Sequence, residues 1–198
     1  MKIDTSTIKQ LREETGLGVM DCKKALEEAA GDLEKARALL KQRGLEIVAK
    51  KSGRTAENGI IASYVHTGGK IGVLVEVNCE TDFVARNELF QGFARNICLQ
   101  VVASNPAYVK IEEIPAAALA EEEKLWKEKP EGETDQERQQ ALNAKKTEFY
   151  QKNVLLNQAF IREPEKTIQD YLNEITVRIG EKITIRRFIR WELGKLGS

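Results

Sequence analysis

The sequence has few of the side chains from which most active sites are built. Its 198 residues include one histidine, three cysteines, four prolines and two tryptophans. The cysteines, Cys22, Cys79 and Cys98, are odd in number and far apart, with no C-x-x-C pair. That pattern argues against a disulfide framework, and against a structural zinc site with its four closely spaced Cys/His ligands. A single histidine excludes metal centres built on several, and any Ser-His-Asp or Cys-His system must use His66. His66 ends a strand-like segment beside a Gly-rich turn, has no Ser, Cys or carboxylate companion by spacing, and reads as structural. Neither G-x-x-x-x-G-K-[ST] nor G-x-G-x-x-G occurs, so no self-contained nucleotide site is expected. No cofactor and no metal are expected.

Charge of one sign is also missing: 31 Lys+Arg stand against 31 Asp+Glu. A protein that coats nucleic acid needs a surplus of basic residues facing the phosphates, so no direct nucleic-acid contact is expected. No apolar run approaches the roughly 20 residues of a membrane helix. The opening MKIDTSTIKQLREETG lacks the apolar stretch of a secretion signal and is too acidic for a transit peptide. The chain reads as intracellular and cytoplasmic, working through its surface rather than through covalent chemistry.

What is present divides at a change of period. Residues 1–52 read as a helical domain. Ile8 and Leu11 mark a first short helix, with Asp4, Thr5 or Ser6 as cap and Gly16 as stop. Val19, Cys22, Leu26 and Ala29 recur at helical spacing as the inward stripe of a second helix. Gly31 suits a C-terminal cap and Asp32 an N-cap for a third helix, which carries Leu33, Ala36 and Leu40 and is expected to stop at Gly44. A fourth helical stretch, 45–51, leads to a linker at 53–58. Residues 59–198 read as an α+β domain. Strands are expected at 59–66 and 70–78, joined by Thr67-Gly68-Gly69, with Ile71, Val73, Val75 and Val77 on one covered face. Asn87 caps a long helix through Phe90, Phe93, Ile97 and Val101, which stops at Asn105-Pro106. Thr167 and Asp170 form a capping-box pair for another helix, with Gly180 as its stop. A last strand is expected over 182–192. The fold class is therefore α+β: an N-terminal three-helix bundle, then a small antiparallel sheet packed with helices.

Two further stretches differ in charge. Residues 112–137 hold ten acidic residues against three lysines, within an acidic helical excursion at about 112–152 whose loop falls at 129–132. It reads as a solvated surface or as a docking surface for a basic partner. Residues 178–198 are basic, with Arg186, Arg187 and Arg190 alternating on the last strand. That basic strand is what an RNA-binding or ribosome-associated reading rests on, against the neutral total charge and the absence of aromatic stacking motifs. A polypeptide-binding module is a third reading.

Two segments stand out as candidate sites. Cys79 to Asn87, CETDFVARN, joins a buried-type strand to a capped helix and must be tight and rigid. Phe83 in it either plugs the gap between strand and helix, or stands exposed beside Asp82 as an anchor for a protein partner. In Gly16-Leu17-Gly18-Val19-Met20, three apolar residues crowd a loop and a helix start. At least one of Leu17, Val19 and Met20 must face outward, core filling taking two of the three.

LREETGLGVMDCKKALEEAAGDLEKA, GGKIGVLVEVNCETDFVARN and EPEKTIQDYLNEITVRIGEKITIRRFIRWELG together closely resemble bacterial-type translation elongation factor Ts over nearly the whole chain. The resemblance implies a ubiquitin-associated-like N-terminal bundle and a guanine-nucleotide exchange factor for elongation factor Tu. It also implies that Thr81, Asp82, Phe83 and Val84 form the segment that displaces Mg²⁺ from the GTPase, with Phe83 as the wedge. Leu17, Val19 and Met20 would hold a helix of Tu, although the usual T-G-A-G-M-M has Leu17 for Ala and Val19 for the first Met here. Long members carry two core modules. This chain has room for one, so a homodimer that replaces the tandem arrangement is expected, with Phe188 and the alternating arginines in its contact.

Overall fold

The structure is a computed structural model and describes residues 4–128 and 131–195. Part of the expected loop at 129–132 lies outside the described residues.

The N-terminal helices form where their caps direct them. Helix α1 (Thr5–Thr15) starts at Asp4, whose carboxylate accepts from the Ser6 amide at 3.2 Å, and ends at Gly16, whose N–H reaches the Arg12 carbonyl. Helix α2 (Val19–Glu28) buries Cys22, Ala25 and Leu26. Gly31, in the left-handed region at φ +85°, then returns its N–H to the Leu26 carbonyl at 2.8 Å, and Asp32 caps the next helix through the Lys35 amide. The three helices share one core of Ile8, Leu11, Leu17, Cys22, Ala25, Leu26, Ala29, Ala36 and Leu40.

Two expectations fail here. The third helix does not stop at Gly44, because α3 runs unbroken from Leu33 to Lys51. Gly44 is buried, and a Cβ on it would lie 3.6 Å from the Val177 side chain. The glycine costs about 1 kcal/mol of helix propensity relative to alanine. Tertiary packing and the helix formers on either side outweigh that cost, so the helix continues through Gly44 instead of ending there. Val19 does not join the inward stripe either. It stands half exposed at the first position of α2, before the stripe begins at Cys22.

Strands β1 (Asn58–Val65) and β2 (Ile71–Cys79) flank the glycine turn, closed by the His66 N–H to the Ile71 carbonyl at 2.8 Å. Along β2, Val73, Val75, Val77 and Cys79 are buried while Leu74 between them is exposed, the alternation expected of a sheet covered on one side. Gly59 is obligatory: at φ +146° its α-carbon passes so close to β2 that a Cβ would stand 2.1 Å from the Val77 carbonyl oxygen. A short helix, α4 (Asp82–Ala85), then turns the chain into α5 (Glu88–Ser104), started by the Asn87 side chain accepting from the Leu89 amide at 2.8 Å. Helix α5 buries Phe90, Phe93, Ile97, Cys98 and Val101, and ends at Asn105, itself at φ +45° before Pro106.

Helices α6 (Ala116–Glu128) and α7 (Asp135–Asn153) make up the acidic excursion, and no residue of either is buried. They meet through the Trp126 and Phe149 rings, 5.9 Å apart, and through the Lys146–Glu123 ion pair at 3.0 Å. A full capping box of Thr134 and Glu137 opens α7. Two short strands absent from the sequence reading follow, β3 (Ala159–Phe160) paired antiparallel with β4 (Glu163–Thr167). They precede α8 (Ile168–Ile179), which ends at Gly180, and β5 (Thr184–Glu192). The main sheet is antiparallel in the order β1-β2-β5.

The chain separates into two compact units: 1–61, 76–94 and 170–184 in one, 62–75, 95–169 and 185–198 in the other. In the first, Phe93 and Tyr171 pack at 5.1 Å and Lys51 donates to the Gly180 carbonyl. In the second, the irregular run after α7 is pinned by two buried glutamines. Gln100 donates to Gln158 at 3.2 Å and to the Ala159 carbonyl at 3.1 Å, and accepts from the Ile161 amide. Gln158 donates to the Lys152 carbonyl and accepts from Ser104 at 2.6 Å. Such a network is stabilising because its members are satisfied.

Candidate functional site

The segment between β2 and α5 is short, tightly bonded and turned outward at one residue. Thr81 is the N-cap of α4, its hydroxyl accepting from the Val84 amide at 3.3 Å. The Thr81 carbonyl receives the Ala85 amide and, at 3.1 Å, the Cys79 thiol. The Asn58 amide group donates to the Glu80 carbonyl at 2.8 Å. On the far side of this turn, Val84 and Ala85 are buried and lock α4 onto the body. A one-turn helix then leaves Phe83 nowhere to go but solvent. Its side chain is 84% exposed, although burying a phenylalanine is worth about 1.5–3 kcal/mol. Asp82 beside it is exposed and paired with Arg86, at 3.2 Å.

Of the two readings of Phe83, the exposed one is therefore observed; the residue that plugs the gap is Val84. Thr81, Asp82, Phe83 and Val84 are brought together as one turn with distinct parts. Thr81 caps, Val84 anchors, and Asp82 and Phe83 face outward.

The N-terminal cluster separates differently. Leu17 is buried in the helical core, while Val19 and Met20 are exposed, Met20 by 62%. Core filling thus takes one of the three: Leu17 joins the helical core, while Val19 and Met20 open α2 on its exposed side. Val19 and Met20 share a compact unit with Phe83.

The turn is also held by residues that sequence reasoning missed. Glu181 and Lys182, a hundred positions downstream, bond to Glu80 and Thr81, and Arg54 reaches the Glu80 carboxylate at 3.2 Å. The Lys182 amide and the Arg54 guanidinium hold the Glu80 carboxyl below the usual range. Burial, reinforced by the Glu181 charge, pushes the Cys79 thiol up, so it is not a poised nucleophile. Burial likewise pushes Cys98 up to about 11. Among the described residues no group of three His, Cys, Asp or Glu is placed to hold a metal ion, and no helix is long and apolar enough to cross a membrane. His66 is exposed at the end of its strand, near the Tyr64 ring.

An aromatic and a carboxylate turned outward on a pinned helical turn are the kind of feature that anchors contact with another protein. Comparison with known proteins names the class. Residues 20–195 match the family described as Elongation factor TS. Elongation factor Ts of Thermoanaerobacter sp. (strain X514) is 48% identical over 195 residues, covering 98% of this chain and 96% of the relative. That of Caldanaerobacter subterraneus subsp. tengcongensis is 48% identical and covers 98% of both. That of Moorella thermoacetica is 46% identical, covering 98% and 96%. The chain belongs to the elongation factor Ts family, whose role is nucleotide exchange on elongation factor Tu.

Proposed function

We propose that this chain accelerates GDP release from elongation factor Tu by inserting Phe83 and Asp82 beside the nucleotide site, so that Mg²⁺ is displaced and GDP loosened. The observation that carries this reading is the exposure of Phe83 on a turn whose backbone is bonded from both sides. Exchange of this kind needs no covalent chemistry from the factor, and the raised thiols of Cys79 and Cys98 agree with that. It takes place in the cytoplasm, where translation runs, without direct contact to nucleic acid.

The energetics are those of linked binding. A factor that weakens GDP binding is weakened by GDP to the same degree. Each tenfold of weakening needs about 1.4 kcal/mol of contact made only with the opened partner. Burying Phe83 supplies roughly 1.5–3 kcal/mol, one to two decades. The remainder comes from a wider interface, in which Val19 and Met20 grip a helix of Tu and Leu17 holds their loop from beneath. Release of a fluorescent GDP analogue from Tu tests the reading. Strong acceleration by the chain, lost on changing Asp82 and Phe83 to alanine, is expected; acceleration that survives the double change overturns the wedge.

The active form is a homodimer with one Tu on each side. Val65 and Leu74 are exposed large apolar residues on β1 and β2, the kind of sheet surface a second copy covers, and Phe188 with Arg186 and Arg190 lies along β5 as part of the same contact. Sedimentation at micromolar concentration is expected to give a dimer, and a monomer overturns this part of the proposal.

A further inference from the structure

Glu181 belongs to no helix or strand, standing between Gly180, which ends α8, and the start of β5. Its carboxylate nevertheless reaches the turn that carries Phe83. Oε2 accepts from the backbone amides of Glu80 at 3.1 Å and Thr81 at 3.0 Å, and Oε1 accepts from the Thr81 hydroxyl at 2.7 Å. The next residue adds a second clasp. The Lys182 amide donates to the Glu80 carboxylate, and the Lys182 ammonium donates to the carbonyls of Ser52 at 2.6 Å and Arg54 at 2.7 Å.

Helix α4 needs such support. It has four residues, too few for a helix that must offset its own nucleation cost. Its N-cap hydroxyl serves two partners, accepting from the Val84 amide and donating to Glu181. The direction in which Asp82 and Phe83 leave the turn therefore depends on how Thr81 is held. Thr81 is held by a side-chain carboxyl group that accepts from three donors, two of them on Thr81 itself.

We propose that Glu181 is a positioning residue for nucleotide exchange. It fixes the Thr81 cap, and through it presents Asp82 and Phe83 to the partner already ordered. The proposal rests on the exchange reading above. A group that preorders the contact raises the rate at which a docked complex releases nucleotide, and changes the concentration needed for docking much less.

The test uses the full chain, elongation factor Tu and a fluorescent GDP analogue, titrated to saturation. Glu181→Ala is expected to lower the saturating rate about tenfold, within the loss that an ångström-scale misplacement produces, with the half-saturating concentration little changed. Glu181→Gln is expected to keep most of the rate. Its amide oxygen still accepts the two backbone N–H groups, and its NH₂ donates to the Thr81 hydroxyl. Thr81→Val is expected to lower the rate as well, and the double variant to cost less than the sum of the two single changes, because the bond between the Thr81 hydroxyl and Glu181 is lost in both. Hydrogen exchange is expected to quicken at amides 80–84 in Glu181→Ala and to stay unchanged in α1–α3. A residue needed only for the fold would leave the saturating rate per folded molecule intact and loosen the whole unit.

A wild-type saturating rate for Glu181→Ala overturns the proposal, as does strict additivity with Thr81→Val. If Glu181→Ala does not fold, Thr81→Val decides alone, and a wild-type rate there overturns it. Phe83→Ala run in parallel separates the two levels. Loss with Phe83→Ala but not with Glu181→Ala removes the positioning role and leaves the exchange reading standing. No loss with Phe83→Ala removes the wedge itself.

Discussion

Two of the regions that expose apolar side chains are built in opposite ways. Helices α6 and α7 leave Leu125 exposed, and border a cavity of about 450 Å³ with Trp126, Leu142 and Lys145. The contact between the two helices is local to the pair, made by the Trp126–Phe149 contact and ion pairs such as Lys145–Glu131, with the Thr134 capping box opening α7. The turn at Thr81–Asn87 exposes Phe83 instead on a single helical turn, and what holds it comes from residues 54, 58, 181 and 182. Exposure alone does not distinguish a site, since single exposed apolar residues are ordinary. Exposure on a backbone that distant parts of the chain combine to fix is different, because the fold then maintains an orientation that the exposed residue does not stabilise.

The largest expected effect contrasts the two exposed residues. Phe83→Ala lowers the saturating rate of GDP release from Tu by roughly ten- to a hundredfold, the equivalent of losing one buried phenylalanine. Leu125→Ala leaves that rate unchanged. Equal effects would break the distinction. A smaller effect compares two caps of the same chemistry. Thr81→Ala and Thr134→Ala each remove a threonine N-cap, worth about 1 kcal/mol of local stability. Denaturant unfolding should register both, while only Thr81→Ala slows exchange.

The smallest effect is a response to acid. Glu80 is held below the ordinary carboxylate range chiefly by the Lys182 amide, and Glu137 chiefly by the Thr134 amide. Folding favours the ionised form of each, so each contribution is complete above the unfolded value, about 4.3, and lost as pH falls through the lower folded value. Hydrogen exchange followed from pH 6 to pH 3 should show both the turn and the start of α7 loosening. Glu80→Gln should flatten the response of the turn alone, and Glu137→Gln that of α7 alone.

Much of the architecture was legible because its causes are local. Asp4 and Asp32 were readable as caps, Thr67-Gly68-Gly69 as a hairpin turn, and the alternation of β2 as one covered face. The errors have a common origin. Gly44 looked like a helix stop, yet it is a buried position in the middle of α3, facing Val177 of α8 more than a hundred residues away. The strands β3 and β4 were missed because a pair with two and five residues has no period to read. In the candidate site, Thr81-Asp82-Phe83-Val84 was visible as an unusual segment, but its spacing did not say whether Phe83 or Val84 faced the interior. Glu181 carried no signal at all, being one more carboxylate after a glycine.

The sequence by itself determined where several helices are capped, which strand face is apolar, and which short segments are too constrained to be mere connections. Hydrogen bonds within four residues and side-chain periods set those features. Only the tertiary structure decided that Leu17 turns inward while Val19 and Met20 do not, that Phe83 stands in solvent, and that Glu181 holds the turn beneath it. Those outcomes depend on groups that folding brings together from separate elements, and no local pattern encodes such a meeting.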